Sequence, residues 1–172
     1  MLLNIMNQDV TLRTLKPSDD VYLVNYLNDS EVTRYLSDRL PAPYTLQDAK
    51  WWLGIGSRQN ALNYAIESHG QFCGVIGAYL PDKSSAEQCA ELGYWLAKDF
   101  WGNGIATRAV ALFIDKVFKQ TQVTSLFNPV SAPNIASIRV MEKAGFCLNQ
   151  ITQNTAVHQG VRFDEHVYVL KR

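Results

Sequence analysis

Apolar and polar residues along the chain change period several times, and each change marks an element. Val10, Leu12 and Leu15 follow a mostly alternating pattern, so Asp9 to Lys16 reads as a strand. Pro17-Ser18-Asp19-Asp20 opens a helix, with Ser18 as its N-cap and acids in the first turn, ending near Asn28-Asp29-Ser30. Pro41 and Pro43 make Tyr35 to Tyr44 a loop. Thr45 and Asp48 form a capping arrangement for a second helix carrying Trp51, Trp52 and Ile55. Tyr64 to Ser68 and Phe72 to Leu80 read as strands of a hairpin turning at His69-Gly70-Gln71. After a polar turn from Pro81 to Gln88, Cys89 to Ala97 is the third strand of the meander. The run from Arg108 to Lys119 has helical period, with Ala109, Leu112, Phe113 and Val117 on one face and Lys116 and Lys119 toward solvent. Thr124 to Asn128 is a short strand broken by Pro129. Asn134 caps a helix that stops at Gly145, and Phe146 to Gln153 and Phe163 to Leu170 pair as closing strands.

The order is strand, two helices, three strands, helix, strand, helix, two strands, which predicts an α+β fold around a mixed sheet. A chain of 172 residues is long enough for one domain with one substantial core. Its 47% apolar and 19% charged residues fit a globular protein. Lys plus Arg equals Asp plus Glu, so no basic excess points to direct nucleic-acid binding. No apolar run approaches a membrane span and the N-terminus lacks a signal pattern, so the expected compartment is the cytoplasm. Cys73, Cys89 and Cys147 read as buried small hydrophobes, and neither they nor His69, His158 and His166 have metal-ligand spacing.

The most informative stretch is Trp101-Gly102-Asn103-Gly104-Ile105-Ala106-Thr107, a strand-to-helix turn with two glycines and a small alanine. Such a turn brings backbone close to a ligand and aims unpaired N–H groups and the positive end of a helix dipole at one point, a phosphate-binding arrangement. It lacks the lysine of a Walker loop and the third glycine of the dinucleotide fingerprint.

With its surroundings, the turn resembles the acyl-CoA loop of the GNAT N-acyltransferase superfamily. The pattern Arg/Gln-x-x-Gly-x-Gly/Ala is matched at Gly104 and Ala106, while Trp101 departs from its first position. The aromatic variant is similar to the branch of ribosomal-protein N-terminal acetyltransferases, as are Ala90-Glu91-Leu92-Gly93-Tyr94-Trp95-Leu96 and the block from Asn134 to Phe146. The resemblance implies a single GNAT domain with flanking helices and a mostly antiparallel sheet whose central strand pair splays apart. The pantetheine arm would lie in that gap, against the main chain of Trp95 and Leu96. It further implies acetyl-CoA as cosubstrate, no metal, and direct transfer of acetyl to an amine, either a protein N-terminal α-amine or a small amine. The protein would act as a monomer or homodimer.

Within that expectation Glu91 is the candidate base, since an amine protonated at neutral pH must lose a proton before attack. A regular strand puts Glu91 on a face with Gly93 and Trp95, and a bulge would reverse it. Many GNAT enzymes carry a tyrosine where this chain has Met141; the resemblance to the ribosomal-protein branch instead implies Ser137, three residues after Asn134, as the donor to the CoA sulfur. A first-turn serine bonded to its own helix backbone is the alternative. Asn134 is the candidate for a pantetheine amide, or simply a cap. The oxyanion donors are expected from the backbone of Trp95 to Ala97. Lys98, Arg108 and Lys143 are candidates for the ribose phosphate of CoA, and Trp51, Trp52, Tyr35 and Tyr44 for an acceptor pocket. The rival reading is a non-catalytic acyl-CoA-binding module, which would need the loop and Asn134 but neither Glu91 nor Ser137.

Overall fold

The computed structural model describes residues 9–82, 84–158 and 160–172. The first eight residues, read above as free of a signal pattern, and Lys83 in the predicted polar turn lie outside them.

The strands are β1 (Val10–Thr14), β2 (Ala61–Ser68), β3 (Gln71–Tyr79), β4 (Cys89–Leu96), β5 (Ser125–Ser131), β6 (Cys147–His158) and β7 (Val161–Lys171). They form one seven-stranded sheet in the order β1-β2-β3-β4-β5-β7-β6. Every neighbouring pair is antiparallel except β4 and β5, which run parallel. The helices are α1 (Asp20–Leu27), α2 (Ser30–Thr33), α3 (Leu46–Gly54), α4 (Ile105–Gln120) and α5 (Ile135–Lys143).

Two cores sandwich the sheet. On one face Ile76, Leu92, Leu126 and Val130 pack against Ala109, Phe113 and Val117 of α4 and Met141 of α5. On the other, Ala65, Phe72 and Val75 pack against Leu23 and Leu27 of α1 and Ala49 and Leu53 of α3, with Trp95 at the margin. Thr45 and Asp48 do form a reciprocal capping box on α3, but Trp51 and Ile55 are largely exposed.

Several boundaries differ from the pattern reading. Ser18 is not an N-cap: Pro17–Asp19 is a 3-10 turn, and the buried Asp19 carboxylate accepts from Arg13 and from the Lys16 N–H, each at 2.8 Å. The short helix α2, capped by Asp29, was hidden by its length. α4 starts at Ile105, not Arg108, so residues 105–107 are its first turn rather than loop. β6 runs on past its predicted end at Gln153 to His158, and β7 adds Val161, Arg162 and Lys171 to its predicted range, with irregular register near Leu148/Gln150 and Thr152/Ala156. Of the three cysteines only Cys73 is buried; Cys89 is half-buried and Cys147 is exposed on the outer strand.

β5 also runs straight through Pro129. Its even-numbered residues bond to β7, because the Ala132 N–H donates to the Asp164 carbonyl and the Arg172 N–H to the Thr124 carbonyl. Hydrogen-bonded pairs alternate along an antiparallel ladder, so the main chain of Phe127, Pro129 and Ser131 faces β4 instead. β4 and β5 pair only over Cys89–Glu91 and Ser125–Phe127. Pro129 therefore lacks its N–H on a side where no strand would accept it, and the ladder loses nothing.

Candidate active site

The split between β4 and β5 has an exposed main-chain edge on each side. The Ala97 N–H donates to the Cys73 carbonyl at 2.8 Å, one step past the Gly74–Leu96 pair. By alternation Glu91, Gly93 and Trp95 spend their main-chain groups on β3, and those of Leu92, Tyr94 and Leu96 point toward β5. This corrects the expected oxyanion donors: the N–H groups of Trp95 and Ala97 are turned to β3, and those of Tyr94 and Leu96 face the gap. The Trp95 side chain also leaves the gap, packing 6.3 Å from Phe72 on the opposite face.

Beyond the gap comes the glycine turn. Gly102 and Gly104 both have φ of +74°, and a Cβ at either would meet nothing within 4 Å. Gly104 is the N-cap of α4 in left-handed conformation, a geometry that costs a β-branched residue dearly. The Arg108 N–H donates to the Gly104 carbonyl; the N–H groups of residues 102–107 have no acceptor among the described residues. An open concave turn with free donors at the positive end of a 16-residue helix suits a pyrophosphate. Trp101, 44% exposed, folds its indole back so that Nε1–H donates to the Leu96 carbonyl at 2.8 Å, and the Asn103 amide donates to the Trp101 carbonyl. That indole ties the turn to β4, and its N–H is not free for a ligand. Of the three proposed phosphate cations, Lys98 is paired with Glu31, while Arg108 and Lys143 are exposed.

Asn134 caps α5, its Oδ1 accepting from the Ser137 N–H at 3.2 Å. The Ser137 hydroxyl is not bonded to its helix backbone; it lies 3.0 Å from the Tyr94 phenol, which donates to it. Burial pushes the Tyr94 phenol up to about 12, so it stays a donor at neutral pH. Tyr94 was missed in the sequence because a tyrosine between apolar residues reads as core.

β4 pairs with β3 without a bulge from Glu91 to Leu96, so Glu91 does share a face with Gly93 and Trp95. Glu91 lines an open groove of about 780 Å³ with Glu87, Phe127, Pro129, Glu165 and Val167. Burial pushes its carboxyl above the usual carboxylate range, the negative charge of Glu165 adds to this, and Arg39 opposes it. A carboxylate so placed takes up protons more readily than a free one. Next to it, Gly93 is exposed in the middle of the sheet, and a Cβ there would meet nothing. Of the aromatics suggested for an acceptor pocket, none lines this groove; Tyr44 is buried against α1 and α3, and Tyr35 stacks edge-on against His158.

Among the described residues no group of three or more His, Cys, Asp or Glu side chains could hold a metal ion, and no helix is long and apolar enough to cross a membrane.

Residues 9–147 match the family model for the acetyltransferase (GNAT) domain. The chain is 24% identical to the uncharacterized N-acetyltransferase p20 of Bacillus licheniformis, over 98% of this chain and 96% of the relative. Its fold superposes on RimL, a ribosomal L7/L12 alpha-N-protein acetyltransferase solved with coenzyme A, with a TM-score of 0.84, 17% identity and coverage of 99% and 98%. It also superposes on the aminoglycoside acetyltransferase AAC(6')-Ib with coenzyme A and kanamycin, with a TM-score of 0.76, 20% identity and 95% coverage of each chain.

Proposed function

This chain belongs to the GNAT acetyltransferase family and is an acetyl-CoA-dependent N-acetyltransferase, and we propose that it acetylates a cationic amine presented over the Glu91 face of β4, a protein N-terminus or a small amine. The observation that carries this reading is the alternation along β4, which sets a raised carboxylate and an open groove on one side and an unpaired strand edge leading to the glycine turn on the other.

In this reading the pyrophosphate of acetyl-CoA is held by N–H groups of residues 102–107. The pantetheine arm lies between β4 and β5, against the main chain of Tyr94 and Leu96. The incoming ammonium gives its proton to Glu91, directly or through water, and the freed lone pair attacks the thioester carbon. Negative charge develops on the carbonyl oxygen, within reach of the N–H groups that β4 leaves free. Collapse breaks the C–S bond with its electron pair leaving on sulfur, and the second proton of the attacking nitrogen passes, directly or through water, to the thiolate, giving a neutral amide and the CoA thiol. A thiol of ordinary pKa, about 8.5, is a fair leaving group. Ser137 donates a hydrogen bond to the departing thiolate, its own proton kept pointing outward because Tyr94 donates to its oxygen. Glu87, Glu91 and Glu165 give the groove a negative lining that favours a cation.

The test is thiol release from acetyl-CoA across a panel of polyamines, aminoglycosides and N-terminal peptides. Turnover with one class identifies the acceptor. Tight CoA binding without turnover on any of them would overturn the proposed acceptor classes and leave the amine to be found elsewhere.

A further inference from the structure

Asn128 is the first residue of β5 beyond its last pair with β4. Alternation along β5 puts its side chain with Leu126 and Val130 on the face covered by α4 and α5. The residue is only 6% exposed, yet its amide makes no hydrogen bond among the described residues. A buried amide normally finds a partner, since leaving one without costs stability. No fully enclosed side-chain nitrogen or oxygen lacks a partner among these residues, so the Asn128 amide must open onto a crevice. The pairing of β4 with β5 ends at the preceding residue, so the gap between the two strands begins at that position.

We propose that Asn128 is a binding residue for the donor substrate, its side-chain amide pairing with an amide of the pantetheine arm. This rests on the reading that the arm of acetyl-CoA occupies the β4–β5 gap. An asparagine side chain carries both a donor and an acceptor, as does the secondary amide it would meet. The strand edge beside it offers little competition: Asn128's own main chain is committed to β7, and Pro129 next to it has no N–H. A core position that could have held leucine or valine is thus kept polar for a partner that arrives with the cosubstrate.

The test compares Asn128→Leu and the less demanding Asn128→Ala with wild type in calorimetric binding of CoA and of adenosine 3′,5′-bisphosphate, which lacks the arm, and in thermal melting without ligand. CoA affinity should fall about tenfold in both variants, as for the loss of one hydrogen bond. Affinity for the bisphosphate should be unchanged, and the ligand-free melting midpoint of Asn128→Leu should equal or exceed wild type. Wild-type CoA affinity in both variants would overturn the proposal. So would a lowered midpoint in both, which would mean that the amide is a structural partner in the fold. If wild type binds the bisphosphate as tightly as CoA, the arm contributes nothing in the gap and the underlying reading fails as well.

Discussion

The two faces of β4 are built to different standards. Ala90, Leu92 and Leu96 are buried against α4 and α5, and Tyr94 on that side is tied to Ser137. Glu91 and Gly93, one residue away in each case, stand on an open groove or on bare sheet. Helices cover both faces of the sheet, but the layer of α1 and α3 does not extend over Glu91 and Gly93. Here the covered face holds the donor side together, and the uncovered one leaves space for a second molecule. Under the proposed function, the two-residue period of a strand would keep the two substrates apart while bringing them to the same few residues.

If that division holds, substitutions on the open face should change acceptor chemistry alone. Glu91→Gln is the strongest case. Turnover should fall by about a hundredfold or more, the usual worth of a positioned base, with CoA affinity unchanged in calorimetry. An unaltered pH–rate profile would mean that the proton leaves by another route.

The donor side is tested by Gly104→Val. The left-handed φ of +74° costs a β-branched residue about 1–2 kcal/mol, visible as a lower melting midpoint. The new side chain would also stand where the pyrophosphate should sit, and CoA affinity should drop by about ten- to a hundredfold, beyond what the strain explains. A folded variant binding CoA as wild type does would move the phosphate site elsewhere.

Gly93→Ala probes the open face more gently. Its Cβ meets no protein atom, and alanine in an element interior gains about 0.5–1 kcal/mol over glycine, so stability should hold or rise. The methyl group would occupy acceptor space, raising KM for the amine by a few-fold while KM for acetyl-CoA stays constant. A change in the acetyl-CoA value would break the separation between the two faces.

Much of this was legible in the chain because it depends on local pattern. The strand-helix order, the capping residues Thr45 and Asn134 and the glycine turn all follow from spacing and residue type. The facing of Glu91 followed from strand parity once no bulge intervened. What escaped depends on residues far apart in sequence. Tyr94 meets Ser137 across 43 residues, and Glu165 and Arg39 reach Glu91 from distant elements. Pro129 looked like the end of a strand because a proline costs a ladder bond in a paired strand; only the splay, a tertiary feature, removes that cost. Asn128 carried no signal at all, since an unpartnered amide is visible only when the whole surroundings are known.

The smallest effect, and the finest check on the open face, is electrostatic. Burial raises the Glu91 carboxyl, Glu165 raises it further and Arg39 lowers it. A base works only when deprotonated, so activity should climb with pH as Glu91 ionises, above the range of a free carboxylate. Glu165→Gln removes one raising influence and should move that climb to lower pH, leaving the plateau rate in place. Arg39→Gln removes the lowering influence and should move it to higher pH. Stability follows the same sign. A carboxyl raised in the folded state holds its proton more tightly there, so its contribution is fully present below the unfolded pKa and lost as pH rises through the folded one. Glu165→Gln should therefore weaken the loss of stability with rising pH, and Glu91→Gln should remove Glu91's share of it. Opposite displacements of the pH–rate profile in the Glu165 and Arg39 variants are the expected result. Displacement in the same direction, or none in either, would mean that the group governing the rate is not Glu91.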